Sequence, residues 1–382
     1  MYRIILNEAC YQERGCRFEL PKILKFYGFK NIVVISGPSL FKHGTTSMVT
    51  DILDKENLNY ELFIDTKPNP TVKNVEDALD IVKKNNADVI IAVGGGSVID
   101  VAKAVGILYK NTNVASVREL EGVITTKNKS LPVIAIPTTH GTAAEVTINY
   151  VITDEDRKKK MVCCDPNSVP FVALVDSELM EMLPEKVAAS TGMDALTHAI
   201  EGYITRNRNE LANTFHLEAI KKIFKYLPAA VNEKDKSAIE QMALAQYEAG
   251  MGFSNVGLGL VHAMSHPLSA IYDMPHGLAN TLLLPTVMKY NGEICYEEFR
   301  EILIAIGEDA KNLDKNEVID LFVTKLITLS NEVGIVMGLE KEGVKSVDFL
   351  LLADQAMEDC CYSGNVVSAT REQIIELYKM AM

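Results

Sequence analysis

Asp194 and His198 stand four residues apart in Gly192-Met193-Asp194-Ala195-Leu196-Thr197-His198, and His262 and His266 repeat that spacing in Gly259-Leu260-Val261-His262-Ala263-Met264-Ser265-His266-Pro267. His276 follows in Pro275-His276-Gly277. Residues i and i+4 of a helix project side by side, so each pair presents two side chains to one point. Four imidazoles and a carboxylate flanked by apolar or small residues, rather than by surface charge, are donors for a divalent cation. Any three or four of them converging would suit iron, zinc or nickel, and the carboxylate favours iron or zinc. One buried histidine is ordinarily a hydrogen-bonded core residue; two such pairs in one stretch favour a metal site.

The helices that must position these groups are legible around them. Met193, Leu196, Ala199, Ile200, Tyr203 and Ile204 surround the first pair with helical period, which predicts a helix buried around most of its circumference. Pro267 is expected to kink or stop the second helix. His276 is expected in a turn leading into the apolar run from Leu278 to Leu284.

A second set of chemistry-bearing residues lies earlier. Gly94-Gly95-Gly96-Ser97 ends a β-branched run and opens a helical pattern from Val98 to Ala104. Glycines admit a ligand close to the backbone, and a helix N-terminus offers N–H groups to a pyrophosphate. The full Gly-x-Gly-x-x-Gly fingerprint is missing, so a tight structural turn is the rival. Pro137-Thr138-Thr139-His140-Gly141-Thr142 ends another such run, and two ligand-like strand ends strengthen the crevice reading. Asn69 in Lys67-Pro68-Asn69-Pro70 suits a turn or a ligand contact. Arg157-Lys158-Lys159-Lys160 reads as a solvated hairpin tip, with Lys160 nearest the following apolar residues.

The strands expected to carry these loops are Ile32 to Ile35, Tyr60 to Ile64, Val89 to Val93, Val133 to Ile136 and Phe171 to Val175, with a helix from about Val72 to Asn85 between the second and third. Such alternation predicts an α/β, Rossmann-like domain with a mostly parallel sheet, binding ligands at the carboxyl ends of its strands. After Asp176 helical patterns dominate, including about Leu211 to Tyr226, Ala238 to Met251, Glu297 to Ile306, Asn316 to Val333 and Arg371 to Met380. The expected organisation is therefore an α/β dinucleotide-binding domain over 1–183 and an all-helical metal-binding domain over 184–382. A redox site between them would join the two sets of residues.

The whole chain bounds the function. Its 382 residues are long enough for two or three domains, and 48% hydrophobic with 23% charged residues is ordinary globular composition. A net charge of −13 leaves no basic stripe for nucleic acid. The seven cysteines include two adjacent pairs and no Cys-x-x-Cys, which argues for free thiols in a reducing cytoplasm. Early charges at Arg3, Glu8, Glu13 and Arg14 speak against a signal peptide, and no uncharged apolar run reaches about 18 residues, so a soluble protein with no membrane partner is expected.

Taken together, Pro-Asn-Pro at 68–70, Gly-Gly-Gly-Ser at 94–97, Pro-Thr-Thr-His-Gly-Thr at 137–142, Thr191 to Glu201 and Gly257 to Gly277 resemble the iron-containing (group III) alcohol dehydrogenase family over nearly the whole chain. Ala143 to Thr153 and Ala249 to Leu260 are most similar to members reducing lactaldehyde to 1,2-propanediol. The resemblance implies that Asp194, His198, His262 and His276 bind iron(II), with zinc admissible, and that His266 is a nearby non-ligand. It implies NAD(H) contacts at Asn69, Gly95, Gly96, Ser97, Thr138, Thr139, Asn149 and Lys160, a substrate cavity narrowed by Phe253 and Cys361, and a homodimer.

Two positions depart from the family pattern. Gly37, after the first expected strand, stands where related members have an aspartate; an acid there accepts the ribose hydroxyl and repels a 2′-phosphate, so Gly37 leaves NADP(H) admissible. His140 replaces a small residue, where it is expected to shift the nicotinamide end or supply an extra proton carrier, with an exposed loop histidine as the alternative. The expected reaction is hydride transfer between nicotinamide and a short-chain aldehyde or alcohol, with His266 relaying the proton through water or the cofactor ribose, or else only supporting its ligand neighbour His262. Propanediol, butanol or glycerol dehydrogenases are the alternatives within the family. A metal-dependent hydrolase and a metal-storage protein are the alternatives outside it.

Overall fold

In the computed structural model, which describes residues 2–382, the apolar runs of the first half pair as strands. They are β1 (Ala9–Gln12), β2 (Ile32–Ile35), β3 (Tyr60–Phe63), β4 (Val89–Gly94), β5 (Gly122–Val123), β6 (Val133–Pro137), β7 (Asn149–Asp154), β8 (Lys159–Cys164) and β9 (Val172–Val175). Six form an all-parallel sheet in the order β1-β9-β6-β4-β2-β3. β2, β4, β6 and β9 are buried at every position, as expected where helices cover both faces of a parallel sheet. The helices of this part are α1 (Leu20–Tyr27), α2 (Pro38–Lys42), α3 (Ser47–Lys55), α4 (Val72–Lys84) and α5 (Gly96–Lys110). α4 starts on a reciprocal capping box between Thr71 and Asn74, which holds the loop following Asn69.

Chain order reverses between β2, which is followed by the outer strand β3, and β4 on its other side, so the ends of β2 and β4 flank a topological switch point. Gly94 of β4 lies opposite Pro137 of β6, and the Thr138 N–H donates to the Gly94 carbonyl at 3.1 Å. The loops after β4 and β6 therefore leave the sheet side by side. A second sheet, β5-β8-β7, carries the antiparallel hairpin β7–β8.

Contacts divide the molecule into two compact units, one of Arg3–Leu183 and one of Pro184–Met382 with Tyr2. The latter contains α6 (Glu185–Ile204), α7 (Glu210–Asn232), α8 (Lys236–Val256), α9 (Leu260–Tyr272), α10 (His276–Ala305), α11 (Lys315–Glu332), α12 (Phe349–Glu358) and α13 (Arg371–Met380). The α/β and all-helical classes are as expected from sequence. None of the described helices is long and apolar enough to cross a membrane.

Three local expectations are corrected. Of the two outcomes expected at Pro267, the stop does not occur: α9 runs through it to Tyr272, packing against α10 and α12 and burying Met264 and Leu268 on either side of the proline. His276 is the first residue of α10, not part of a free turn; Pro275 is the N-cap. Lys160 belongs to β8 and is buried, so only the residues before Lys159 form the hairpin tip.

Candidate metal centre and cofactor loops

α6 is buried from Gly192 to Ile204, and Asp194 and His198 project from it one turn apart with only 1% and 5% exposure. α9 supplies His262 at 1% exposure. α10 supplies His276, whose side chain stays 26% exposed. α10 reaches this position because Gly277 has no side chain: a Cβ there would lie 2.3 Å from the Ser190 carbonyl of α6. One donor atom from each of Asp194, His198, His262 and His276 lies within 4.8 Å of the other three. His266, one turn beyond His262, is absent from that group.

Three of these donors already share one hydrogen-bond source. The Asn280 amide Nδ2 donates to Asp194 Oδ1 at 2.7 Å and lies 3.1 Å from His262 Nε2 and 3.2 Å from His276 Nε2. An amide has two N–H groups, so three lone pairs converge where two protons are on offer. Burial pushes the Asp194 carboxyl up, against the pull of His198 and the Asn280 hydrogen bond. Burial, with the other histidines adding to it, holds His262 well below its ordinary value and keeps the imidazole neutral. A neutral His262 imidazole and a carboxylate beside two further imidazoles form a donor set of the kind a divalent cation takes, and the residues present fit iron or zinc.

Phe253 of α8 is 3% exposed and stacks on His198 with centroids 4.2 Å apart and planes 8° from parallel. His266 stacks on His276 at 5.2 Å and donates from Nδ1 to Asp359 Oδ2 at 2.7 Å. The Cys361 N–H donates to the other oxygen of Asp359 at 2.8 Å, bringing Cys361 into the same corner. The chain thus places Phe253, Cys361 and His266 around the four-donor cluster.

The sequence reasoning missed four residues here. Asn280 follows His276 at i+4, a spacing that could have exposed it. Glu201, three residues after His198, accepts from His262 Nδ1 at 2.6 Å. Asp359 carries no motif. His216 of α7 lies with its Nε2 only 2.3 and 2.2 Å from where a Cβ would stand on Gly202 and Gly252, so both glycines are needed for it to fit. Burial lowers the His216 imidazole to about 3.

In the α/β unit, Gly95 is the N-cap of α5 and no side chain caps that helix. Cβ atoms on Gly95 and Gly96 would lie 3.0 Å from Thr139 and 2.8 Å from Thr142, so the glycines let the two strand-end loops interlock. Thr139 Oγ1 is buried with no hydrogen-bond partner, an orphaned polar atom beside an uncapped helix start. Asn69 has the left-handed φ of 53°, and its Oδ1 accepts from Lys160 Nζ at 2.5 Å. Buried Lys103 of α5 donates to the carbonyls of Thr147 and Asn149 at 2.8 Å, fixing the start of β7. Gly37 is the N-cap of α2, where an added Cβ would lie 3.2 Å from the Thr66 carbonyl and 3.9 Å from Val98. Gly37, Gly95, Gly96, Ser97, Thr138 and Thr139 thus gather at the ends of β2, β4 and β6, while Asn69 meets Lys160 at one end of the hairpin and Asn149, opposite Cys164, stands at the other. The exposed-loop alternative for His140 is overturned: it is 1% exposed, and burial lowers it to about 4, which also makes it a poor proton carrier near neutrality.

Residues 7–177 match the iron-containing alcohol dehydrogenase model, and residues 188–382 match the C-terminal model of the Fe-containing alcohol dehydrogenase family. The chain belongs to the iron-containing alcohol dehydrogenase family. It is 45% identical over 379 residues to the lactaldehyde reductase of Escherichia coli strain K12, covering 99% of each chain. It is 36% identical over 383 residues to an NAD-dependent methanol dehydrogenase of Bacillus methanolicus, covering 100% of each. Among solved structures, a 1,3-propanediol oxidoreductase superposes with a TM-score of 0.96 at 33% identity over 100% of each chain. The protein is therefore an oxidoreductase of the alcohol dehydrogenase type, and the hydrolase and storage alternatives fall away.

Proposed function

We propose that this family member reduces short-chain aldehydes, lactaldehyde to 1,2-propanediol foremost, with hydride from NADH, and that Asp194, His198, His262 and His276 hold iron(II). The buried convergence of these four donors carries the reading. Support for the substrate comes from the lactaldehyde reductase of Escherichia coli, and for the nicotinamide from the NAD-dependent methanol dehydrogenase. The chemistry an iron(II) ion supplies in such a donor set is Lewis acidity, which polarises a carbonyl and stabilises an alkoxide relative to its alcohol.

The chain's own residues do the rest. Phe253, fixed flat against His198, and Cys361 limit the space for substrate carbons and favour short-chain aldehydes. His266 delivers the proton that the alkoxide needs: its Nδ1–H is held by Asp359, which leaves Nε2 as the exchanging atom. The uncapped start of α5, with Gly95, Gly96 and Ser97, receives the pyrophosphate. Thr138, Thr139, Asn69, Asn149 and Lys160 hold the remainder of the dinucleotide. Gly37 offers no carboxylate to reject a 2′-phosphate, so NADPH is accepted as a secondary donor. Cytoplasmic location and a homodimer complete the reading.

Anaerobic purification with defined iron or zinc, followed by NADH and NADPH oxidation against lactaldehyde, glycolaldehyde, propanal and butanal, tests it. Iron-loaded protein is expected to oxidise NADH fastest with lactaldehyde. Failure to oxidise either cofactor with any metal would overturn the proposal, while a clear preference for butanal would move the substrate assignment to a butanol dehydrogenase.

A further inference from the structure

The N-terminus of α9 is capped by no side chain of its own, since its N-cap is Gly259. Its first N–H groups are nevertheless engaged. The Leu260 N–H donates to Asn365 Oδ1 at 3.2 Å, the Val261 N–H to Glu201 Oε1 at 2.7 Å, and the His262 N–H to Glu201 Oε2 at 3.3 Å. Asn365 is itself held by reciprocal amide bonds to Asn291 at 2.9 and 2.8 Å. A carboxylate from α6 therefore sits at the positive end of the α9 dipole, where an anion is favoured. Glu201 is 1% exposed, and its approach needs Gly259, because a Cβ there would lie 2.9 Å from Glu201 Oε1 and 2.9 Å from Asn365 Oδ1.

The same carboxylate meets the imidazole of His262. Glu201 Oε2 lies 2.6 Å from His262 Nδ1. An ionised carboxylate only accepts, so Nδ1 carries the proton and Nε2 presents its lone pair, on the side where Asp194 and His276 also present theirs. On α6, residues 194, 198 and 201 fall within an arc of about 60° at 100° per residue. One helix face thus supplies two metal donors and the group that orients a third from another helix.

We infer that Glu201 is a positioning residue of the metal centre, fixing the tautomer of His262 and, through the same two oxygens, seating the helix that carries it. The inference rests on the metal-ligand reading given above for Asp194, His198, His262 and His276. Glu201 does not touch substrate or metal in this role. It acts through His262, and its loss is felt as metal affinity before it is felt as turnover.

The variant E201Q keeps the volume and one acceptor oxygen but sets an NH2 donor against His262 Nδ1 or against the Val261 N–H. The test measures zinc affinity of the metal-free full-length protein by chelator competition, the visible d–d spectrum of the cobalt(II) form, and the melting curve of the metal-free form. E201Q is expected to melt as a folded protein, bind zinc about 10–100-fold more weakly, and show a changed cobalt spectrum. Zinc affinity within about twofold of wild type, together with an unchanged cobalt spectrum, overturns the inference at this level of discrimination. Should E201Q not fold, G259A carries the test: its Cβ displaces the carboxylate without altering His262. It is expected to weaken zinc binding at least about fivefold, and unchanged binding overturns the inference. Wild-type protein that binds neither zinc nor cobalt overturns both this inference and the function proposed above, whereas tight wild-type binding with an unaffected E201Q overturns this inference alone.

Discussion

His266 and Asp359 form a hydrogen-bonded pair beside the four donors without joining them, so the proton delivery proposed for His266 and the metal retention proposed for the four donors can be tested apart, one side chain at a time. His266→Ala is expected to lower kcat about 100-fold with metal content unchanged, measured by parallel assay and metal analysis. Asp359→Asn, which loses the charge that orients Nδ1–H, is expected to cost less than that while also leaving the metal in place. Loss of metal in either variant would make them supports of the centre instead. Gly37→Asp is expected to lower kcat/KM for NADPH at least about tenfold and to raise that for NADH, because the new carboxylate repels a 2′-phosphate and accepts a ribose hydroxyl. A Cβ there lies 3.2 Å from the Thr66 carbonyl, so that backbone must give by a few tenths of an ångström to admit the side chain.

At the scale of elements, the centre depends on how closely α10 starts against α6. Gly277→Ala puts a methyl group 2.3 Å from the Ser190 carbonyl, a contact with backbone that must be relieved by moving α10. A stability loss of about 1–3 kcal/mol is expected. Metal affinity should fall alongside it, because His276 and Asn280 move as one; a thermal melt and a chelator titration check the two effects separately. Much of this architecture was legible beforehand. Ile-Val-Val-Ile at 32–35 and Val-Ile-Ile-Ala-Val at 89–93 can only be buried strands, and Asp194 and His198 announce a helix face. β1, Ala-Cys-Tyr-Gln, escaped because an edge strand with two exposed positions lacks the β-branched signal and is defined by its pairing to β9. α9 outlasted Pro267 because tertiary packing overrode a local breaker. Asp359 and Glu201 were hidden for a related reason: their histidine partners lie 93 and 61 residues away, at distances that no spacing rule encodes, whereas Asn280 stands four residues after His276 and was open to that rule.

For the molecule as a whole, each unit contains a histidine driven neutral by burial: His140, lowered to about 4, and His216, lowered to about 3. Below their ordinary value of 6.5 the unfolded chain binds protons that the folded chain refuses, so stability is complete above about pH 6.5 and falls as the pH drops toward 4. Each group contributes about 1.4 kcal/mol per pH unit across that window. The apparent Tm is expected to decline over pH 6.5 to 4, and His140→Gln should flatten the part of the decline that belongs to the α/β unit; an unchanged slope would count against the assignment.

The four donors also have a mechanical meaning. Asp194, His198, His262 and His276 come from three helices, so a cation held by all of them is a clip that closes the chain from residue 194 to residue 276. An ion present at about 100 times its dissociation constant adds about 2.7 kcal/mol to the native state. That reinforcement falls on the helical unit, and removing the ion withdraws it there and nowhere else. If the four donors hold a metal as proposed, exposure to a chelator makes the stretch between α6 and α10 the first to yield to a protease, so that metal supply sets how long the folded protein lasts as well as what it can catalyse.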